Sequence, residues 1–257
     1  MNTRLALIAL TGTALIAHSG HAALTQLDST SFDYQYEMDV NPSGQDLDSA
    51  GSATDWFPNV AGGAIIPQTY TGGVAVSNQG AAEVLFRTDF GGSITRQSFP
   101  GDFTIEVSVH VNSDGNGGAG SAGYFGIALQ TPGETNSFAM VIDAGEINIS
   151  GGSTIATADN TDGFHTFRIA NEGDDYFVWR DGVLLNADES SPFAPSNGSF
   201  NTGGAWFVGD YSGSIGGNWE VDYIRADNGG AFAPVPEPTS LALLGLGGLL
   251  IARRRRG

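Results

Sequence analysis

Residues 164–185 read FHTFRIANEGDDYFVWRDGVLL. His165, Phe167 and Ile169 alternate with Phe164, Thr166 and Arg168. A period of two is what a pleated strand needs. Asn171 to Asp174 form a polar break containing a glycine, and Tyr176 to Arg180 resume with strand-forming types. Asp181-Gly182 follows, and then Val183, Leu184 and Leu185. Asp-Gly between two apolar runs predicts a type I′ hairpin, whose central residues both take positive φ. That turn sets Trp179 opposite Leu184 and Val178 opposite Leu185. Both faces of the hairpin then carry apolar residues, so at least one packs against a second sheet.

A histidine-bearing strand, a polar turn, Tyr-Phe-Val-Trp, Asp-Gly and an aliphatic strand together resemble the concanavalin A-like lectin/glucanase group, which includes laminin G-like domains. The resemblance covers about a tenth of the chain. It implies an all-β, concanavalin A-like jelly-roll sandwich of two antiparallel sheets. It says little about ligand, because one fold hosts many functions.

The ends of the chain read differently. Met1 to Arg4 carry one positive side chain, Leu5 to Ile16 are an apolar run, and Gly20-His21-Ala22 is a small-x-small cleavage signal. This predicts a secretory signal peptide over residues 1–22, in helical form, with the mature chain starting at Ala23. The run is short for a membrane span. The sandwich domain is expected over residues 23–234, and a distinct segment over 235–257.

The chain has no cysteine, so export brings no disulfide framework. A domain of this length buries enough apolar surface without one. There is no lysine either. Residues 23–235 hold five arginines against 27 carboxylates, a net charge of −22. Such a surface repels phosphate backbones and anionic lipid, so nucleic acid is not an expected partner. It favours solubility and cations.

Elsewhere in the chain, Phe32, Tyr34, Tyr36 and Met38 alternate with polar residues, as in a half-exposed strand. Further strands are expected at 74–76, 84–88, 103–111, 124–130, 138–143, 146–149, 205–208 and 219–226. The strongest is Phe103 to Val111, with Phe103, Ile105, Val107, Val109 and Val111 on one face. No long stretch before residue 236 has a helical period, and no repeat of fixed length is visible. Short strands with frequent turn signals indicate a sandwich.

Pro236-Glu237-Pro238 precedes an apolar run from Leu241 to Ala252 and the cluster Arg253, Arg254, Arg255 and Arg256. Proline suits a helix start. As a helix the run would measure about 18 Å, against a bilayer core of about 30 Å. The arginines stay cytoplasmic by the positive-inside rule. The order Pro-Glu-Pro, short apolar helix, arginine cluster resembles the PEP-CTERM sorting signal. That resemblance implies an exosortase-type enzyme that cuts near Pro-Glu-Pro, a transient inner-membrane anchor, and a cell-surface destination in bacteria that make exopolysaccharide and biofilm. A plain tail anchor is the simpler alternative.

Three kinds of chemistry are weighed. Laminarinase-like members of the lectin/glucanase group carry Glu-x-Asp-x-x-Glu on one strand, which sets two carboxylates on one face. Here Glu220-Val221-Asp222 lacks the third carboxylate, and Trp219 to Arg225 look like that group's closing strand instead. The two histidines of residues 23–235, His110 and His165, neighbour no obvious nucleophile, so no catalytic residue is assigned. In several jelly rolls the closing-strand aspartate helps hold a structural calcium. By that resemblance Asp222 is the metal candidate, with main-chain carbonyls as further oxygen ligands. Asp46, Asp48, Gly51 and Asp55 faintly resemble a calcium loop as well. Finally, aromatic rings stack on sugar C–H faces. Trp56, Tyr124, Trp206 and Tyr211 stand near polar or glycine-rich loops and are the ligand-binding candidates. Trp179 and Trp219 lie in strong strand patterns and are expected in the core. The expected function is non-catalytic polysaccharide binding or matrix building. A glycoside hydrolase or polysaccharide lyase with an unrecognised site, and a purely structural surface protein, are the alternatives.

Overall fold

A computed structural model describes residues 23–38, 57–59, 69–71, 74–77, 84–88, 101–113, 125–130, 136–149, 153–195, 197–198, 205–209 and 218–236. The expected signal helix and the helix of residues 241–252 lie outside them. Among the described residues no helix is long and apolar enough to cross a membrane.

The strands in chain order are β1 Thr25–Leu27, β2 Tyr34–Glu37, β3 Phe57–Asn59, β4 Thr69–Thr71, β5 Val74–Ser77 and β6 Val84–Thr88. Then come β7 Phe103–Ser113, β8 Phe125–Gln130, β9 Asn136–Ile142, β10 Glu146–Ile149, β11 Ser153–Thr157 and β12 His165–Glu172. The last six are β13 Asp175–Arg180, β14 Val183–Leu184, β15 Asn197–Gly198, β16 Ala205–Gly209, β17 Asn218–Asp227 and β18 Phe232–Pro234. They form two eight-stranded sheets. The first runs β14-β13-β12-β7-β17-β5-β4, with β2 also on β17. The second runs β11-β10-β9-β8-β16-β6-β3, with β15 on β9. Neighbours within each sheet are antiparallel, so the expected sandwich is the observed one.

The opening stretch folds as its period requires. Phe167 and Ile169 of β12, with Tyr176 and Val178 of β13, are buried between the sheets, alongside Phe103, Ile105, Val107, Val109 and Val111 of β7. Trp219 is fully buried there, its ring edge-on to Phe125 at 5.2 Å. Burying one large apolar side chain contributes about 1.5–3 kcal/mol. Asp181 and Gly182 have φ of 50° and 75°, and Trp179 pairs with Leu184, as the type I′ turn demands. The preceding break is tighter than expected: β12 extends to Glu172, which pairs with Asp175 across Gly173 and Asp174. Those two also have positive φ, 56° and 72°, so this is a second two-residue hairpin.

The other face of β12 and β13 is covered too, but not by the second sheet. Ala170, Phe177 and Trp179 form a separate buried cluster beneath Leu24, Leu184, Ala231 and Ala233. The cover is a two-stranded parallel ribbon of β1 and β18, in which Gln26 lies opposite Ala233. Neither ribbon strand is expected from the sequence. Phe32 departs from the expected alternation as well. It is buried, but its ring faces the Arg168 guanidinium at 4.9 Å, while Tyr34 and Met38 join the main core.

Candidate functional site

The ribbon borders a cleft of about 310 Å3 on the outer face of the first sheet. Asp28 and Ser29, Glu106, Thr166 and Arg168, the turn Asp181-Gly182, and Pro234 and Val235 line it. Its floor is Glu106 of β7 and Arg168 of β12, which are direct register partners. Both side chains are 1% exposed. Arg168 Nε donates to Glu106 Oε2 at 2.7 Å, and Nη2 lies 2.5 Å from the same oxygen. Nη1 donates to Leu27 O at 2.7 Å and to Ala233 O at 2.9 Å. One guanidinium therefore holds both ribbon strands while its charge is met by Glu106. The planar five-donor fork suits this, and a lysine would not. Removing one partner of such a pair costs about 3–5 kcal/mol, because the other charge stays buried.

Glu106 Oε1 also accepts from Ser29 Oγ at 2.5 Å and from the Tyr223 hydroxyl at 3.1 Å. Burial, and secondarily the Glu106 charge, push the Tyr223 phenol up to about 12. Tyr223 is a hydrogen-bond donor here, and its protonated oxygen is a poor nucleophile. Next to Asp181, which lines the cleft, His165 sits between two carboxylates. Its Nε2 is 2.6 Å from Asp162 Oδ1 and its Nδ1 is 2.8 Å from Asp181 Oδ2. Asp181 also accepts the Thr166 backbone N–H at 2.9 Å and meets Arg180 at 3.1 Å. The Asp28 carboxylate is exposed and lies below its ordinary range, chiefly through the Thr30 hydroxyl and backbone N–H. The cleft thus offers hydroxyls and carboxylate oxygens, with Pro234 and Val235 as an apolar wall. That set can take up donor groups such as sugar hydroxyls.

Sequence reasoning passed over this constellation. Asp181 beside His165 follows from the β12–β13 register once the Gly173-Asp174 turn is placed. The Glu106–Arg168 pair has no such local signal, because it depends on β7 and β12 being neighbours across the intervening strands.

Of the ligand and metal candidates singled out from sequence, Trp206 and Asp222 are among the described residues, and they stand in different sheets. Trp56, Tyr124 and Tyr211 lie outside the described residues, as does the Asp46–Asp55 loop. Trp206 stands in β16 opposite Leu129 of β8 and Thr88 of β6. Asp222 occupies the point where the β7–β17 register slips, between Val221 and Tyr223. Its carbonyl accepts the Met38 N–H at 3.0 Å. Its carboxyl is half-buried. Desolvation, then the nearby Glu37 charge, raise it above the ordinary aspartate value, against Arg225 and a Ser108 hydrogen bond. Among the described residues no three His, Cys, Asp or Glu side chains converge as a metal site. Glu220 has different neighbours from Asp222: it accepts from Asn112 Nδ2 at 3.2 Å and lies 3.7 Å from His110 Nδ1. Trp179 and Trp219 are buried as expected, Trp179 beneath the ribbon and Trp219 between the sheets. Of the sorting residues Pro236 is described and exposed, whereas Glu237, Pro238 and Arg253 to Arg256 lie outside.

Comparison with known proteins finds one sequence motif and several similar solved structures. The family described as PEP-CTERM protein-sorting motif matches residues 234–256. No curated protein matches the chain. Among solved structures, the chain is similar to Trypanosoma rangeli sialidase in complex with 2,3-difluorosialic acid, with a TM-score of 0.51 at 14% identity. That likeness covers 78% of this chain and 31% of the sialidase, so the chain spans less than a third of it. A carbohydrate esterase from the Shiga toxin-encoding bacteriophage phi24B is similar at 14% identity and TM-score 0.44, over 76% of this chain and 97% of that one. The CBM2 module of the evolved Dit protein of Lactobacillus casei BL23 phage J-1 gives 14% and 0.38, over 76% and 94%. At 14% identity the sialidase likeness speaks to fold alone. Residues 234–256 match the PEP-CTERM protein-sorting motif, which indicates an exported protein sorted to the cell surface, and the described residues before it form a β-sandwich.

Proposed function

We propose that this protein is a non-catalytic component of the cell surface or extracellular matrix, binding polysaccharide in an exopolysaccharide-rich biofilm. An exosortase-type enzyme first removes its membrane-held tail. The sorting motif at the end of a β-sandwich carries the reading. A domain delivered to the outside with a net charge of −22 meets hydroxyl-rich polymer more readily than anionic lipid or nucleic acid. The cleft chemistry supports binding over turnover. Glu106 is neutralised by Arg168, and Tyr223 is held protonated. Neither is poised to attack a substrate. The proposed contacts are ring stacking by Trp56, Tyr124, Trp206 and Tyr211, with hydroxyl recognition by carboxylate and amide side chains.

Calcium at Asp222 belongs to the same proposal. A half-buried carboxyl facing Glu37 is an oxygen donor whose ionised form a cation would stabilise. Carbonyl oxygens would complete the shell.

The test is a glycan array probed with residues 23–235. The expected result is retention on a limited set of bacterial polysaccharides, weakened when Trp206 or Tyr211 is replaced by alanine in a folded domain. No binding to any glycan would contradict the reading. Release of shortened oligosaccharides would favour the hydrolase or lyase alternative.

A further inference from the structure

Every side-chain donor that lines the cleft is already engaged inside the protein. Arg168 has five N–H groups. Nε and Nη2 meet Glu106 Oε2, Nη1 donates to Leu27 O and Ala233 O, and Nη2 also reaches Ser29 Oγ at 3.3 Å. None is left for a ligand. The Ser29 hydroxyl gives its proton to Glu106 Oε1, and so does the Tyr223 hydroxyl. Tyr223 has no second proton, so in its 3.3 Å contact with Thr166 Oγ1 the threonine is the donor. The remaining lining side chains are carboxylates or apolar groups. What the cleft keeps is acceptors. Asp28 is exposed; its Oδ1 takes the Thr30 N–H and hydroxyl at 2.9 and 2.7 Å, and its Oδ2 has no partner among the described residues. Thr166 Oγ1 and the Asp181 carboxylate add further lone pairs. Pro234 and the 43% exposed Val235 supply the apolar wall.

We propose that the cleft holds a sugar residue carrying a free amine, with its ammonium on Asp28, its hydroxyls on Thr166 Oγ1 and Asp181, and a C–H face on Pro234 and Val235. This rests on the proposed binding of polysaccharide and names the class of sugar at this site. The ligand has to bring the donors that the cleft lacks. An ammonium brings three, with a positive charge that suits a domain of net charge −22. A uronate or sulfated sugar brings further acceptors at its charged group and meets carboxylates with no free side-chain N–H. An N-acetylated amine loses the charge and gains a carbonyl for which the lining has no side-chain donor, and an unmet carbonyl is costly to desolvate. At about 310 Å3 the cleft is at the small end of ligand pockets, which run about 300–1,000 Å3. It therefore takes one end or branch of a polymer rather than a long run.

The probes are the trisaccharide of β-1,4-linked glucosamine and its fully N-acetylated counterpart, which share ring and linkage. The full chain is titrated calorimetrically with each at a mildly acidic pH that keeps the amines charged. Salt of about 0.15 M screens exposed charges beyond about 8 Å. Asp28→Asn removes the charge but keeps a capping side chain for Thr30. Glu189→Gln removes one charge from an exposed residue outside the cleft. The expected result is glucosamine trisaccharide bound about tenfold tighter than the acetylated one, which is about 1.4 kcal/mol. Asp28→Asn should remove most of that preference, and Glu189→Gln none of it. Equal affinity for the two sugars would overturn the inference. The same loss in both variants would overturn it too, as the mark of diffuse surface charge. Spermine that binds as tightly as the glucosamine trisaccharide, with the same dependence on Asp28, would replace the sugar by a linear polyamine. Binding of neither sugar would remove the amine assignment. Retention of other glycans on the array would then leave polysaccharide binding standing, and a blank array would remove both.

Discussion

Asp222 is a carboxylate held at a disadvantage. The extra residue in the β7–β17 ladder places it half-buried, near Glu37, and its folded value is raised above 3.8. A carboxyl raised in this way contributes stability that is complete below the unfolded value and lost as pH rises through the folded one. At neutral pH the ionised group therefore works against the fold. In EDTA at pH 7, Asp222→Asn is expected to melt higher than wild type, and the difference should close as pH falls through the raised value toward 3.8. With calcium at about 100 times the dissociation constant, wild type should gain about 2.7 kcal/mol and the variant little. Magnesium at equal ionic strength should substitute poorly, because it demands a smaller octahedral shell. A variant that melts lower in EDTA would refute the penalty. An equal calcium gain in both proteins, or the same gain with magnesium, would remove Asp222 as a ligand.

The β12–β14 stretch shows which strand relations a sequence carries. Gly182 has φ of 75° with no atom within 4 Å of an added Cβ, so its requirement is conformational and not steric. Gly182→Val should destabilise the domain by about 1 kcal/mol or more, read as a lowered melting temperature, since a β-branched residue resists positive φ. An unchanged melting temperature would contradict the turn. Hairpin partners were legible because a turn fixes the register on both sides: Trp179 opposite Leu184 follows from Asp181-Gly182 alone. The ribbon was not legible. β1 and β18 are three residues each, far apart in sequence, with no alternation of their own. They are strands because Arg168 offers donors to Leu27 O and Ala233 O and because Ala170, Phe177 and Trp179 need a cover. Arg168 reads in sequence as the polar face of a half-exposed strand, but it is among the most buried side chains described. The cleft was invisible for the same reason. Its walls come from both ends of the chain, and only the folded topology brings them together.

In the whole molecule, the two described ends run side by side across one face, and the sorting motif begins where that ribbon stops. The β1–β18 ribbon covers Ala170, Phe177 and Trp179 on that face before the chain reaches Pro-Glu-Pro. The central claim is that this tail is a sorting signal removed on the way to the surface, and not a lasting anchor. Mass spectrometry of the protein recovered from the surface of its native host tests it most directly. The account predicts peptides through the β18 region and none from Leu241 to Ala252. Surface protein that retains the Leu241–Ala252 peptide would contradict it and leave a simple membrane anchor.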